Sequence, residues 1–178
     1  EKDTFIVFFS DNGGAKYDFF DNTPLRDHKG SAYEGGIRVP FIASYPGHIP
    51  AGSVCDLPVT SHDVFATACA LAGSKPETRH PLDSKDMLPV LAGKSKSAAH
   101  QSLYWDFPSF GAAVSDGDLK LVVPKSGPPQ LFDLGKDIGE KNDLAEQRPE
   151  DVSRLANLLK QWQTQNVKPL WGPGSSAK

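Results

Sequence analysis

Two short apolar runs, Phe5-Ile6-Val7-Phe8-Phe9 and Val39-Pro40-Phe41-Ile42-Ala43, constrain what this chain can fold into more than any other feature. A strand with one face in water alternates apolar and polar residues. A run without alternation fits a strand covered on both faces, as in a parallel sheet flanked by helices. Both runs are therefore expected in one mostly parallel sheet of an α/β fold. Downstream, Thr60-Ser61-His62-Asp63 fits a weak capping box. Val64, Phe65, Ala68, Leu71 and Ala72 follow at helical spacing, and Gly73 stands where a C-cap glycine ends a helix. Residues 1–73 thus read as strand, long loop, strand, loop, helix.

The grammar then changes. Residues 74–100 are rich in Lys, Ser and Pro and hold only one short apolar turn, Met87 to Leu91, so they read as a surface connector. Short strand-like stretches follow at Ser102–Trp105, Ala112–Val114, Leu119–Val123 and Gln130–Leu134, with Asp116-Gly117 as a hairpin signal. Pro149 occupies a first helical position, and Val152, Leu155, Leu158, Leu159 and Trp162 mark one helical face. Residues 101–166 are therefore expected to form a small α+β subdomain, an antiparallel sheet with one helix. Residues 167–178 read as a tail, with Gly172-Pro173-Gly174-Ser175-Ser176 expected to be disordered.

Composition excludes more than it assigns. A net charge of −3 over 178 residues gives no electrostatic reason to expect nucleic acid. No run of about 18 apolar residues is present, so no membrane-spanning helix is expected. The chain enters its first apolar run within a few residues of Glu1, so the true beginning of the polypeptide is expected elsewhere, and a missing leader says nothing of compartment. Cys55 and Cys69 have no metal or redox spacing. They read as inert thiols, with a disulfide as the alternative.

Two loop stretches carry chemistry. Asp11-Asn12-Gly13-Gly14 follows the first apolar run directly. One reading is a tight turn, since Asn-Gly is a strong hairpin signal. Against it, Ala15-Lys16-Tyr17-Asp18 does not return as an alternating strand. The other reading is a cation site. Ligands gather at the carboxyl ends of strands in open α/β sheets, and a carboxylate beside an amide carbonyl suits Ca²⁺ or Mg²⁺. Two such ligands do not complete a calcium site. The second stretch runs from Asn22 to Pro40. It reads either as a solvated loop with ordinary surface charges or as an anion site, because the ammonium of Lys29 near a bound cation suits an anion bridging both. Lys29 is then expected close to Asp11 and Asn12 in space, within reach of a direct contact. Glu34 and Arg38 read as a structural pair, and His28 as an exposed residue or a contact to a leaving group.

Thr4-Phe5-Ile6-Val7-Phe8-Phe9-Ser10-Asp11-Asn12-Gly13-Gly14 together with Pro24-Leu25-Arg26-Asp27-His28-Lys29-Gly30-Ser31-Ala32-Tyr33-Glu34-Gly35-Gly36-Ile37-Arg38-Val39-Pro40 resembles the type I sulfatases of the alkaline-phosphatase-like superfamily. Later stretches agree in order: Asp63–Thr67, Asp116–Val122, and Leu131–Leu134 with Asp137, Glu140, Asn142 and Leu144. The resemblance reaches to about Gln165 and implies the C-terminal part of that fold. It implies that Asp11 and Asn12 bind calcium and that Lys29 contacts the substrate sulfate. In that family the nucleophile is a formylglycine made from a Cys/Ser-x-Pro/Ala-x-Arg motif, which this chain lacks. Ser44-Tyr45-Pro46-Gly47-His48 comes nearest but has histidine in the arginine position.

The expected function is thus hydrolysis of sulfate esters, on a sulfated small molecule or carbohydrate. The formylglycine and the remaining metal ligands are expected in an N-terminal half of the same fold, and the chain alone is expected to be inactive. The resemblance implies a periplasmic, lysosomal or secreted parent. Two alternatives stay open: a phosphodiesterase or phosphonate hydrolase of the same superfamily, and a non-catalytic relic or binding domain.

Overall fold

The computed structural model describes residues 3–17, 20–75, 81–107 and 109–167. The chain divides into two units, Glu1–Phe9 with Phe41–Gln101, and Ser10–Pro40 with Ser102–Lys178. These are not the boundaries expected from composition. Residues 10–40 belong with the C-terminal sheet, and most of the expected connector belongs with the first unit. The expected tail, Val167 apart, lies outside the described residues.

In the first unit, β1 (Ile6–Phe9) pairs with β2 (Phe41–Ser44). The pairing is antiparallel, with Ile6 opposite Ser44 and Phe9 opposite Phe41. This corrects the parallel arrangement expected of these two strands, while the mixed α/β class stands. Parallel neighbours need a long covering crossover. The only helix between β1 and β2 among the described residues is the single turn α1 (Glu34–Ile37). Burial alternates along both strands although the chemistry does not. Ile6, Phe8 and Ile42 share one face and are 54%, 64% and 63% exposed.

The helix α2 (Asp63–Leu71) forms where the capping signal and apolar spacing place it. Its first residue is fully buried and accepts the Thr60 N–H at 2.8 Å, one arm of the capping box. Gly73, at φ 65°, ends the helix in the left-handed conformation glycine tolerates. The same Asp63 carboxylate accepts the Lys85 N–H at 2.9 Å and meets His100 Nε2 at 2.8 Å. The Met87 N–H donates to Thr67 Oγ1 at 3.0 Å, and α3 (Leu88–Leu91) follows. Residues 84–100 are thereby docked on α2, which is why they do not behave as a free connector. Cys55 and Cys69 are free thiols.

The second unit is built on an antiparallel sheet in the order β3-β4-β5-β6, comprising β3 (Ser102–Phe107), β4 (Gly111–Asp116), β5 (Leu119–Pro124) and β6 (Gln130–Asp133). Gly117, at φ 60°, opens the two-residue loop joining β4 to β5, as the hairpin signal required. The helix α4 (Pro149–Gln163) lays Leu155 and Leu159 on Ala112, Val114, Leu121 and Leu131. Ala32 and Tyr33 pack on Ala113, Val122 and Phe132. Because successive strand residues face opposite ways, these are the two faces of one sheet. Strand β5 is covered on both, and Lys120, Leu121 and Val122 are each no more than 1% exposed.

Candidate functional site

The Asp11 turn is held by short-range hydrogen bonds. Ser10 Oγ donates to the Asn12 carbonyl at 2.9 Å, and Asn12 Nδ2 donates to the Gly13 carbonyl at 2.9 Å. The Gly13 N–H donates to the Gly36 carbonyl at 3.1 Å. This approach excludes any side chain, since a Cβ at position 13 would stand 1.8 Å from the Gly35 oxygen. Residues 11–17 form no strand against β1, so the stretch is not a two-residue hairpin.

Asn22 then acts as a surrogate peptide. Its Oδ1 accepts the Gly14 N–H at 3.1 Å, and its Nδ2 donates to the carbonyls of Gly14 at 3.2 Å and Asp27 at 3.0 Å. The Lys29 N–H donates to the Gly14 carbonyl at 2.9 Å. Two stretches separated by a long loop are thus joined at the backbone. Lys29 is exposed, and no described residue forms an ion pair with its ammonium. The direct Asp11–Lys29 contact considered from sequence is not formed.

His28 is engaged within its own loop, with its side chain 33% exposed. Its Nε2 lies 3.1 Å from Asp27 Oδ1. Its Nδ1 lies 2.9 Å from the Lys29 carbonyl, an acceptor, so that nitrogen carries the hydrogen. Beside it lies an open cavity of about 440 Å³, lined among others by Lys16, Asp21, Asn22, Asp27 and His28.

Glu34 begins α1 and is paired to Arg38 at 3.2 Å, as expected, but that pair is the lesser part of its environment. The buried ammonium of Lys120 lies 2.7 Å from Glu34 Oε1 and 2.9 Å from Glu140 Oε1. Glu140 Oε2 accepts the Glu34 N–H at 2.7 Å. Its Oε1 has charge contact with Lys120 but no aligned hydrogen-bond donor. Burial pushes the Glu140 carboxyl above its ordinary value, against the pull of Lys120. Arg26 donates from Nη1 to the Glu140 carbonyl at 3.0 Å, and its guanidinium lies 4.0 Å from the centre of the Tyr33 ring. Burial raises the Tyr33 phenol, whose hydroxyl donates to Gln130. Sequence reasoning placed Lys120 and Glu140 in structural elements without seeing this cluster. The one available signal was a carboxylate followed directly by Gly35-Gly36, a charge without room for a long neighbour.

The donor set at the Asp11 turn is one carboxylate and one amide, both hard oxygen ligands suited to calcium or magnesium. Asn12 uses its nitrogen on Gly13, which leaves its oxygen for a cation. Among the described residues no group of three His, Cys, Asp or Glu side chains could hold a metal, so these two fit part of a site and not a whole one.

A family model described as Sulfatase matches residues 1–74. The chain is 30% identical to a protein named Sulfatase from Formosa agariphila, over 94% of this chain and 34% of that protein. It is 31% identical to an N-acetylgalactosamine-6-O-sulfatase of Bacteroides thetaiotaomicron, over 90% of this chain and 36% of the relative. Among solved structures, Ps i-CgsB in complex with k-i-k-neocarrahexaose superposes with a TM-score of 0.87 at 34% identity, covering 96% of this chain and 38% of that one. The chain spans about a third of the length of the proteins it matches.

Proposed function

Because this chain belongs to the sulfatase family, we propose that it supplies the C-terminal part of a sulfate-ester hydrolase, with Asp11 and Asn12 as metal ligands and Lys29 as the sulfate-binding cation. The observation that carries this reading is the backbone junction of the two stretches, with the Lys29 N–H on the Gly14 carbonyl at 2.9 Å and the Lys29 ammonium in no ion pair among the described residues. An exposed cation joined at the backbone to a partial site for a hard metal suits the anionic sulfuryl group of a sulfate ester.

Asp11 and Asn12 would hold calcium, which supplies Lewis-acid polarisation of a sulfate oxygen when bound. The nucleophile, a hydrated formylglycine, would come from outside this chain. Lys29 neutralises charge on the transferring sulfuryl oxygens, where losing one preorganised donor typically costs about 10²–10³ in rate. His28, with Nδ1–H on the Lys29 carbonyl, steadies the loop and borders the cavity where a leaving group would lie. The relative named for N-acetylgalactosamine 6-O-sulfate and the solved relative holding a neocarrahexaose support a sulfated carbohydrate as the substrate class. The apolar face of Ile6, Phe8 and Ile42 would be covered by the N-terminal half of the fold. A periplasmic, lysosomal or secreted setting completes the reading.

The test is complementation. The purified chain should release no sulfate from an aryl sulfate above a Lys29→Ala control, while the chain joined to an N-terminal half bearing formylglycine should turn over. Cleavage of phosphodiesters in preference to sulfate esters by the joined protein would favour the phosphoryl alternative, and no turnover of either would favour the relic.

A further inference from the structure

The site loops end on a helix of a single turn, which is too short to hold its own shape. Its backbone nonetheless carries both loops. The Gly36 carbonyl accepts the Gly13 N–H at 3.1 Å, one residue beyond Asn12. The Gly35 N–H donates to the Arg26 carbonyl at 2.8 Å, three residues before Lys29. Neither junction leaves room for a side chain, since a Cβ at Gly13 would stand 1.8 Å from the Gly35 oxygen and one at Gly35 would stand 2.5 Å from the Arg26 oxygen. Any shift or rotation of α1 therefore moves the Asp11 turn and the Lys29 loop.

The groups that fix α1 come from the far end of the sequence. Lys120, on the covered strand β5, meets Glu34 Oε1 at 2.7 Å with no solvent exposure, and Glu140 accepts the Glu34 N–H at 2.7 Å. Glu140 also presents its carbonyl to Arg26 at 3.0 Å, so it touches both the helix and the loop leading to Lys29. It does so from a left-handed backbone conformation, φ 51°, which a glutamate adopts only where its surroundings dictate it. Desolvating three charged side chains is expensive, and a well-packed apolar set of similar volume often serves stability as well or better. A stability role alone therefore leaves the choice of charges unexplained, whereas directional contacts that fix one orientation of α1 explain it.

We propose that Lys120 and Glu140 are positioning residues for the site, acting through Glu34 and α1 to hold the Asp11–Asn12 turn and Lys29 in register. The assignment rests on the reading of Asp11, Asn12 and Lys29 as the site, but its test reads local order and not turnover, so each can fail without the other. Amide hydrogen exchange is followed by NMR on the full 178-residue chain and on its Glu140→Gln and Lys120→Met variants. Glu140→Gln keeps shape and an acceptor oxygen while removing the charge. In Glu140→Gln, exchange at Gly13, Lys29 and Gly35 should quicken about tenfold or more with protection in β4 and α4 retained, and in Lys120→Met these three amides should quicken more than those of β4 and α4, because local openings respond separately from global unfolding. Acceleration spread evenly over β4, α4 and the loops would reduce the cluster to a general stabiliser and overturn the proposal. So would unchanged exchange at those three amides. Where Lys120→Met does not fold, Glu140→Gln decides the matter alone.

Discussion

Two lysines in the second unit show opposite treatments of the same charge. Lys120 has no solvent exposure, and its ammonium sits between two carboxylates at 2.7 and 2.9 Å. Lys29 is exposed and in no ion pair among the described residues, although its backbone is pinned at 2.9 Å to the Asp11 turn. The first is satisfied by the fold and speaks of architecture. The second is pinned at its backbone with its ammonium left to solvent, which agrees with the proposed role of binding a sulfate. Removing the first should damage the fold, and removing the second should damage only the chemistry.

The largest effect should come from Lys120→Met. Two carboxylates would be left buried without their cation, and breaking such a set by one member costs about 3–5 kcal/mol. Chemical denaturation of the chain measures it, and a loss well under 1 kcal/mol would erase the contrast between the lysines. Gly35→Ala should come next, because the added methyl would stand 2.3 Å from the Asp27 oxygen. Overpacking of this kind costs about 1–3 kcal/mol, read from the same denaturation midpoint. An unchanged midpoint would show that the loop junction yields easily.

A smaller effect sharpens the electrostatics. Burial raises the Glu140 carboxyl above its ordinary 4.5, outweighing the opposing pull of Lys120. The folded chain then keeps a proton that the unfolded chain releases, so this residue's contribution is full below 4.5 and is lost as pH rises through the folded value. The stability of the parent chain relative to Glu140→Gln should therefore fall as pH rises above 4.5. A difference that grows with pH would mean that Lys120 dominates over desolvation. The smallest effect should be calcium binding by the chain alone. Two side-chain ligands leave most of the 6–8 oxygens unfilled, so calorimetry should find nothing tighter than about millimolar. A micromolar site abolished by Asp11→Ala would show that the chain completes the metal centre unaided.

What sequence could show followed from how local each determinant is. Gly73, Gly117 and Pro149 act on their own backbone, and each stands where its signal places it. The antiparallel pairing of β1 with β2 was hidden because unbroken apolar runs report burial and not direction, and the face of Ile6, Phe8 and Ile42 is apolar yet exposed in this chain. The Lys120 cluster was hidden for a different reason. A lysine between leucines in a short strand ordinarily faces water, and its partner Glu34 is 86 positions away. The junction of the Asp11 turn with the Lys29 loop was legible only as an expectation. What makes it is backbone hydrogen bonding and the Asn22 amide, neither of which leaves a periodic pattern.

On the proposed function, Lys29 is held for a sulfate and not for the fold. Steady-state kinetics on a small sulfate ester and a thermal melt, both on Lys29→Ala in the chain joined to an N-terminal half bearing formylglycine, test it together. The turnover number kcat should fall by about 10²–10³, with a melting temperature within about 2 °C of the parent. Near-normal turnover, or a loss of activity matched by a loss of folding, would contradict it.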